Sequence, residues 1–390
     1  MDSITALLSG ALEEVRPLAE GAPASYIPEL AGVDPEALAL AVVGPRGRVW
    51  SAGDADHEFT IQSMSKPFVL ALALVEHGRE AVMARVGAEP SGEPFNAISL
   101  EAGTGRPANP MINAGAIATT ALVPGGSIAE RTERIVDLFS RFAGRELRVD
   151  ESVYASESAT GDRNRALAHL LRSYDVIEAP VDLAVESYFR QCSVLVTVRD
   201  LAEMAATLAF GGFNPTTRER VVDEHIARDV LSLMASCGMY DFSGEWLLRV
   251  GLPAKSGVSG GLLAVAPSQF GVAAFSPRLD GHGNSVRAVA VVEKLAERLG
   301  MHLLEPHESV AVPAVSVHSG ETGPVVRLSG ELGFAGTERV FAVLRELATG
   351  LPEGSTVTLD AREIGRMHPA ALVALQTEFE GLPLGFRLEQ

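Results

Sequence analysis

The order of elements along this 390-residue chain predicts a mixed α/β (α+β) body of about 300 residues followed by a small β/α module. Strand patterns occur early and return late, with a long helical stretch between them. That order suits one sheet completed by both ends of a unit around a helical insertion. The texture then changes over EPHESVAVPAVSVHSGETG, residues 305–323, which is rich in Pro, Ser, Val and Gly and reads as a linker. Length agrees, because roughly 100–200 residues per domain allow one large body plus a small one. The expected domains are therefore 1–304, the linker 305–323, and 324–390.

Met1 to Leu18 has helical periodicity, with Ile4, Leu7, Leu8 and Leu12 on one face. Ala37 to Trp50 reads as a hairpin, two apolar strands around the turn Gly44-Pro45-Arg46-Gly47. Phe68 to His77 reads as a helix stopped by Gly78. Helical segments follow near Ser127–Phe142, Asn164–Tyr174, Val181–Gln191 and Val198–Phe210. Strands are expected at Gly261–Ala266, Gln269–Ser276 and Ser285–Val292, then a helix to Leu299. In the tail, Val325–Ser329 and Thr356–Asp360 read as strands, Thr337–Thr349 and Pro369–Glu378 as helices.

Composition excludes several classes. Hydrophobic residues make up 47% and charged residues 21%, an ordinary globular balance. The net charge of −18 disfavours nucleic acid and anionic membrane, which need clustered positive charge. Two cysteines, Cys192 and Cys237, build no disulfide framework. The opening MDSITALLSGALEEV lacks a basic n-region and carries Glu13 and Glu14, so no signal peptide is expected. No window approaches the ~20 apolar residues of a membrane span. A cytoplasmic protein with reduced cysteines is expected.

The chemistry starts from lysine. It occurs three times, at Lys66, Lys255 and Lys294, whereas the other 29 of the 32 basic residues are arginine. Only lysine, when buried, can lose its proton and act as a base. Lys66 lies in Ser63-Met64-Ser65-Lys66, ahead of Pro67, which is tolerated only near a helix start. Positions three apart share a helix face, so Ser63 and Lys66 are neighbours. A serine becomes a nucleophile when a nearby base takes its proton, and its own N–H at a helix start can stabilise an oxyanion. An N-cap serine with a surface lysine would show the same four residues.

Lys255-Ser256-Gly257 precedes a Gly-rich strand entry. An ordinary turn would look alike, but Ser-x-x-Lys followed later by Lys-Ser/Thr-Gly is the paired signature of serine β-lactamases and penicillin-binding proteins. Further polar candidates are Tyr26 in ASYIPEL, Asn113 in NPMINAGAI, Glu157 and Asn164 in SESATGDRNRAL, Tyr188 in ESYFRQCSV and Tyr240 in SCGMYDFSG. Each has a plain structural reading: an amphipathic core tyrosine, a turn asparagine, or a helix N-terminus with well-placed acids.

Taken together, SYIPEL, FTIQSMSKPF, NPMINAGAI, SESATGDRNRAL, ESYFRQCSV, SCGMYD and PAKSGVSGG resemble the serine-dependent glutaminases, a β-lactamase-like family, in order and approximate spacing over residues 1–304. The resemblance implies a β-lactamase/penicillin-binding-protein-like sheet with a helical subdomain. It implies hydrolysis of L-glutamine to L-glutamate and ammonia, with Ser63 as nucleophile, Lys66 as its activating partner and Tyr240 sharing in proton transfer. The N–H groups of Ser63 and Val258 would form the oxyanion hole. Tyr26, Gln62, Asn113, Glu157, Asn164 and Tyr188 would line the substrate pocket, with Tyr240 and Val258 at its reacting end. No cofactor and no metal are called for, and a homodimer or homotetramer is expected.

The tail resembles a STAS domain, the small β/α module of sulfate transporters and anti-sigma-factor antagonists, through VVRLSGELGFAGTERV and TVTLDAREIGRMHPAALVAL. Many such modules carry a phosphorylatable serine before the second helix. Here the stretch is Arg366-Met367-His368-Pro369-Ala370, which argues against that switch. The module is expected to be truncated, lacking a last helix, and to bind an unknown ligand or protein partner. Two other functions fit parts of the pattern. A penicillin-recognising hydrolase or peptidase is opposed by Glu157-x6-Asn164 and by the missing export signal. A non-catalytic amino-acid sensor is opposed by the intact Ser63, Lys66 and Tyr240.

Overall fold

In the computed structural model, which describes residues 3–92, 97, 100–304, 314–320, 323–332, 337–352, 354–367 and 369–389, the chain opens with helix α1 (Ser3–Val15). A short helix α2 (Pro28–Ala31) precedes the hairpin of β1 (Ala39–Val43) and β2 (Val49–Gly53) and a two-residue strand β3 (Phe59–Thr60). A 3₁₀ turn, Gln62–Ser65, then leads into α3 (Lys66–Arg85). The α-helix therefore begins at Lys66, three residues later than Pro67 alone suggests. At Gly78 the backbone turns to φ 77° and ψ 164°, and helical residues resume beyond it. Gly78 breaks the helix as expected but does not end it.

The helical middle follows: α4 (Asn113–Ala121), α5 (Ile128–Ala143), strand β4 (Arg148–Val149), α6 (Glu151–Thr160), α7 (Asp162–Ser173), α8 (Val181–Cys192), strand β5 (Val194–Val196) and α9 (Val198–Ala209). Local chemistry sets several of the starts. Thr197 accepts from the Asp200 N–H while Asp200 accepts from the Thr197 N–H, a capping box that opens α9. Ser127 caps α5, and Gly144 closes it in the left-handed conformation.

Next come α10 (Glu224–Cys237), a 3₁₀ turn at Tyr240–Phe242, α11 (Ser243–Arg249), β6 (Ala254–Ser256), β7 (Gly261–Ala266), β8 (Phe270–Phe275) and α12 (Val286–Leu299). The strand expected at Ser285–Val292 is thus a helix. VRAVAVV is apolar enough for either state, and the Ser285 side chain, accepting from the Ala288 N–H, starts the helix.

Strands from both ends of this unit meet in one antiparallel sheet, ordered β2-β1-β8-β7-β6. Side chains alternate across it. Leu38, Leu40 and Val42 join one core with Leu8 and Leu12 of α1 and Val291 and Leu295 of α12. Ala39, Ala41 and Val43 join the opposite core with Leu201 and Ala205 of α9. Both faces are covered, so the central strands read as unbroken apolar runs. A third cluster, with Ile117, Leu167, Leu171 and Val185, holds the helical part together.

Residues Met1–Glu305 form one compact unit and Pro306–Gln390 a second. The second contains β9 (Ala314–Gly320), β10 (Gly323–Leu332), α13 (Thr337–Gly350), β11 (Thr356–Met367), α14 (Pro369–Gly381) and β12 (Gly385–Glu389). Its sheet runs β12-β11-β10-β9, parallel except for β9 on β10, over a core that includes Val326, Leu328, Leu344, Val357 and Leu359. Residues 314–320 were expected within the linker 305–323 but form β9, because β10 supplies the backbone pairing that composition does not reveal. Linker residues 305–313, 321 and 322, and His368 of the switch position, lie outside the described residues.

Candidate active site

Ser63 sits on the 3₁₀ turn between β3 and α3, buried, with Gln62 before it at φ 48°. One turn on, Lys66 has no exposed surface. Its Nζ donates to Asn113 Oδ1 at 2.7 Å and to the Met111 carbonyl at 3.2 Å. Both acceptors are uncharged, so burial decides the titration and lowers the ammonium to about 8.

Tyr240 contacts Ser63. It lies on the second 3₁₀ turn at φ 59°. Its hydroxyl donates to the Ser256 carbonyl at 3.0 Å and is in hydrogen-bond contact with the Ser63 side chain. Burial pushes the phenol up to about 12, and those hydrogen bonds moderate the rise. Lys255 stands over the Tyr240 ring, its Nζ 3.9 Å from the centroid, and donates to the Ser256 carbonyl at 2.8 Å. Burial, then the nearby charge of Lys66, holds Lys255 well below its ordinary value. The Tyr240 phenol thus contacts Ser63, and the two buried amines lie on its neighbours, Lys255 over the Tyr240 ring and Lys66 on Asn113.

In front of Ser63 opens a cavity of about 270 Å³. Its polar wall is Glu157, buried on α6, whose Oε1 accepts from the Tyr26 hydroxyl at 2.6 Å and from Gln62 Nε2 at 3.1 Å. Burial raises the Glu157 carboxyl, and the two donors pull it back. The same lining holds a neutral chain. Asn113 Nδ2 donates to Asn164 Oδ1 at 3.1 Å, and the Tyr188 hydroxyl donates to Asn113 Oδ1 at 3.3 Å. Asn113 is the first residue of α4, so one helix start carries both the Lys66 acceptor and a cavity wall. Burial drives the Tyr188 phenol well above its ordinary value, which keeps it a donor.

Val258 lies in the turn from β6 to β7, where the Gly257 N–H pairs with the Gly261 carbonyl and the Gly260 N–H with the Gly257 carbonyl. This turn borders the same cavity. Every residue expected at the site therefore comes together, but not all in one role. Lys66 and Tyr240 stand behind Ser63 and do not line the cavity. Sequence reasoning missed Thr160, Gly161, Arg163, Phe189 and Cys192 on the walls. Arg163, between the invoked Glu157 and Asn164, was within reach of inspection. Cys192, one turn beyond Tyr188 and raised to about 12 by burial, carried no signal. Among the described residues no group of three or more His, Cys, Asp or Glu side chains is arranged to hold a metal ion.

Residues 21–304 match the family model described as Glutaminase. This chain belongs to the glutaminase family. It is 49% identical to the glutaminase of Corynebacterium efficiens over 92% of this chain and 84% of that one. It is 50% identical to the glutaminase of Trichormus variabilis over 78% of this chain and 89% of that one. The crystal structure of Mglu in its glutamate form superposes with a TM-score of 0.89 at 40% identity, covering 100% of this chain and 99% of that one. The mixed α/β fold of residues 21–304 is thus that of the glutaminase family.

Proposed function

We propose that this chain hydrolyses L-glutamine to L-glutamate and ammonia through a γ-glutamyl ester on Ser63. The observation that carries this reading is the cavity's polarity. One buried carboxylate, Glu157, shares the lining with the amides and phenol of Asn113, Asn164 and Tyr188, with Arg163 and with Ser63, and Asn113 also accepts from the buried Lys66 amine. Glutamine presents the complement: an α-ammonium for Glu157, an α-carboxylate for amide and hydroxyl donors, and a carboxamide that reaches Ser63. The glutaminase relatives and the glutamate-bound Mglu structure support the same substrate class.

In the proposed sequence, Ser63 Oγ attacks the carboxamide carbon as its proton passes to the Lys66–Tyr240 group. The oxyanion takes the backbone N–H groups of Ser63 and Val258. The C–N bond breaks, the leaving nitrogen takes the proton, and ammonia departs. Water then adds to the ester, the same group removes its proton, and glutamate leaves with Ser63 restored. Asparagine, one methylene shorter, would hold its carbonyl carbon away from Ser63, so a strong preference for glutamine is expected.

The second unit enters this proposal as a STAS-like interaction module, supported by its strand-helix-strand-helix order and largely parallel sheet. A homodimer or homotetramer in the cytoplasm completes it, checked by sedimentation and by cell fractionation. No helix among the described residues is long and apolar enough to cross a membrane.

The deciding experiment measures ammonia and glutamate released from L-glutamine by the full chain, with Ser63→Ala alongside. Equimolar release that is lost in a folded variant is expected. Full activity in the variant would remove Ser63 from the reaction.

A further inference from the structure

We infer that Glu36, Arg278 and Arg287 are positioning residues for substrate binding, clamping both feet of the segment 18–36 and so fixing Tyr26 against the cavity. The inference rests on reading that cavity as the glutamine site.

The same two guanidinium groups hold both ends of the segment. At its first foot, Arg287 Nε donates to the Leu18 carbonyl at 2.6 Å, and Arg278 Nη1 to the carbonyls of Ala19 and Gly21 at 3.2 and 3.3 Å. At its second foot, Glu36 Oε1 accepts from Arg278 Nη2 at 2.7 Å, and Oε2 from Arg287 Nη2 at 2.8 Å. The two arginines hold Glu36 down to about 2, so it stays ionised. Between the feet the chain also crosses the Leu279 backbone, whose N–H donates to the Ala22 carbonyl at 3.0 Å.

What the strap carries makes the clamp functional. The Tyr26 hydroxyl lies on Glu157, and Glu29 Oε1 accepts from Ser156 Oγ at 2.9 Å, next in sequence to Glu157. Ile27 and Leu30 form a small core with Val153 of α6, against which Val258 packs. The strap therefore touches the α6 wall and the turn beside Ser63 together. Stability alone explains the clamp poorly. Arg287 is 1% exposed, and its Nη1, like Arg278 Nε, is buried with no hydrogen-bond partner among the described residues, which is a costly arrangement for a fold. Among the described residues, the Arg287 side chain donates to the strap's two ends, Leu18 and Glu36. Holding a wall in its bound geometry lowers the ordering cost of binding and leaves bond-making at Ser63 alone.

The test uses the full chain and steady-state glutamine hydrolysis, with thermal melting to show that each variant folds. Glu36→Gln keeps shape and one acceptor oxygen, and Glu36→Ala removes both. KM is expected to rise about threefold to tenfold while kcat changes less than about twofold. In a Tyr26→Phe background, Glu36→Ala should add less than it does alone, because both act through one contact. Unchanged KM in a folded Glu36→Gln variant, a fall in kcat without a change in KM, or fully multiplicative effects in the double variant would overturn the clamp. Absence of turnover in the unaltered chain would overturn the glutamine reading and the clamp with it. That result is separable, because it is visible before any variant is compared.

Discussion

A serine hydroxyl attacks readily only once a neighbour takes its proton, so on the proposed mechanism the state of Lys66 sets the rate at which Ser63 can attack. Lys66 accepts a proton as the free amine, and burial brings its titration to about 8. The amine fraction grows as pH rises through that value, so kcat/KM should climb with pH and level off above it. Lys66→Arg keeps the charge but cannot deprotonate, so turnover should fall by at least about 100-fold and the limb should vanish. A variant with near-normal turnover would exclude Lys66 as the base. Glu157 works in the opposite sense. Burial raises its carboxyl, yet it must be ionised to hold an ammonium. KM should therefore rise as pH falls through that raised value, and Glu157→Gln should raise KM more than it lowers kcat. Kinetics of the variant across pH check both statements. These residues could be picked out from the sequence because each is a distinctive residue type in a motif. The scarcity of lysine pointed at Lys66 before any geometry. Lys255 was noticed but left without a role, because its place over the Tyr240 ring is a contact across fifteen residues' separation that no local pattern encodes.

Elements were read well where one local signal dominates and poorly where two states share a pattern. The amphipathic α5 and α9 follow their periodicity, and β1 and β8 follow their short apolar runs. By contrast α12 begins in an apolar run that fits strand or helix, and only its cap decides. The helix α4 hides in small residues, and α6, which bears Glu157, has almost no apolar face, so neither announced itself. Two glycines show how element geometry turns into prediction. Gly78 has φ 77° with nothing within 4 Å of an added Cβ, so Gly78→Ala should cost only the backbone strain, about 1–3 kcal/mol, and leave KM unchanged. Gly21 has φ 78°, but an added Cβ would lie 2.2 Å from the Leu279 carbonyl oxygen. Gly21→Ala must push the strap off β8's flanking backbone, so it should raise KM as well as lower the melting temperature. Melting curves with matched kinetics distinguish the two, and equal KM values in both variants would contradict the assignment.

The chain divides its work between two units, each with its own sheet and core. The sheet of the first is closed by strands from near its start and near its end, so it is a complete fold before the second begins. All the candidate site residues, Tyr26 through Val258, lie inside the first unit. The similarity to the Trichormus variabilis glutaminase spans 78% of this chain but 89% of that one, so a stretch about the size of the first unit accounts for most of that relative. A chain ending at Leu304 should consequently fold alone and retain kcat and KM within about threefold. The comparison needs melting, turnover and sedimentation of both lengths. A folded short chain without turnover would assign the β9–β12 unit a part in the reaction. Equal kinetics with a changed sedimentation coefficient per subunit count would assign it to assembly. Unchanged kinetics and assembly would leave it as the binding module whose partner is sought by titration with the full chain.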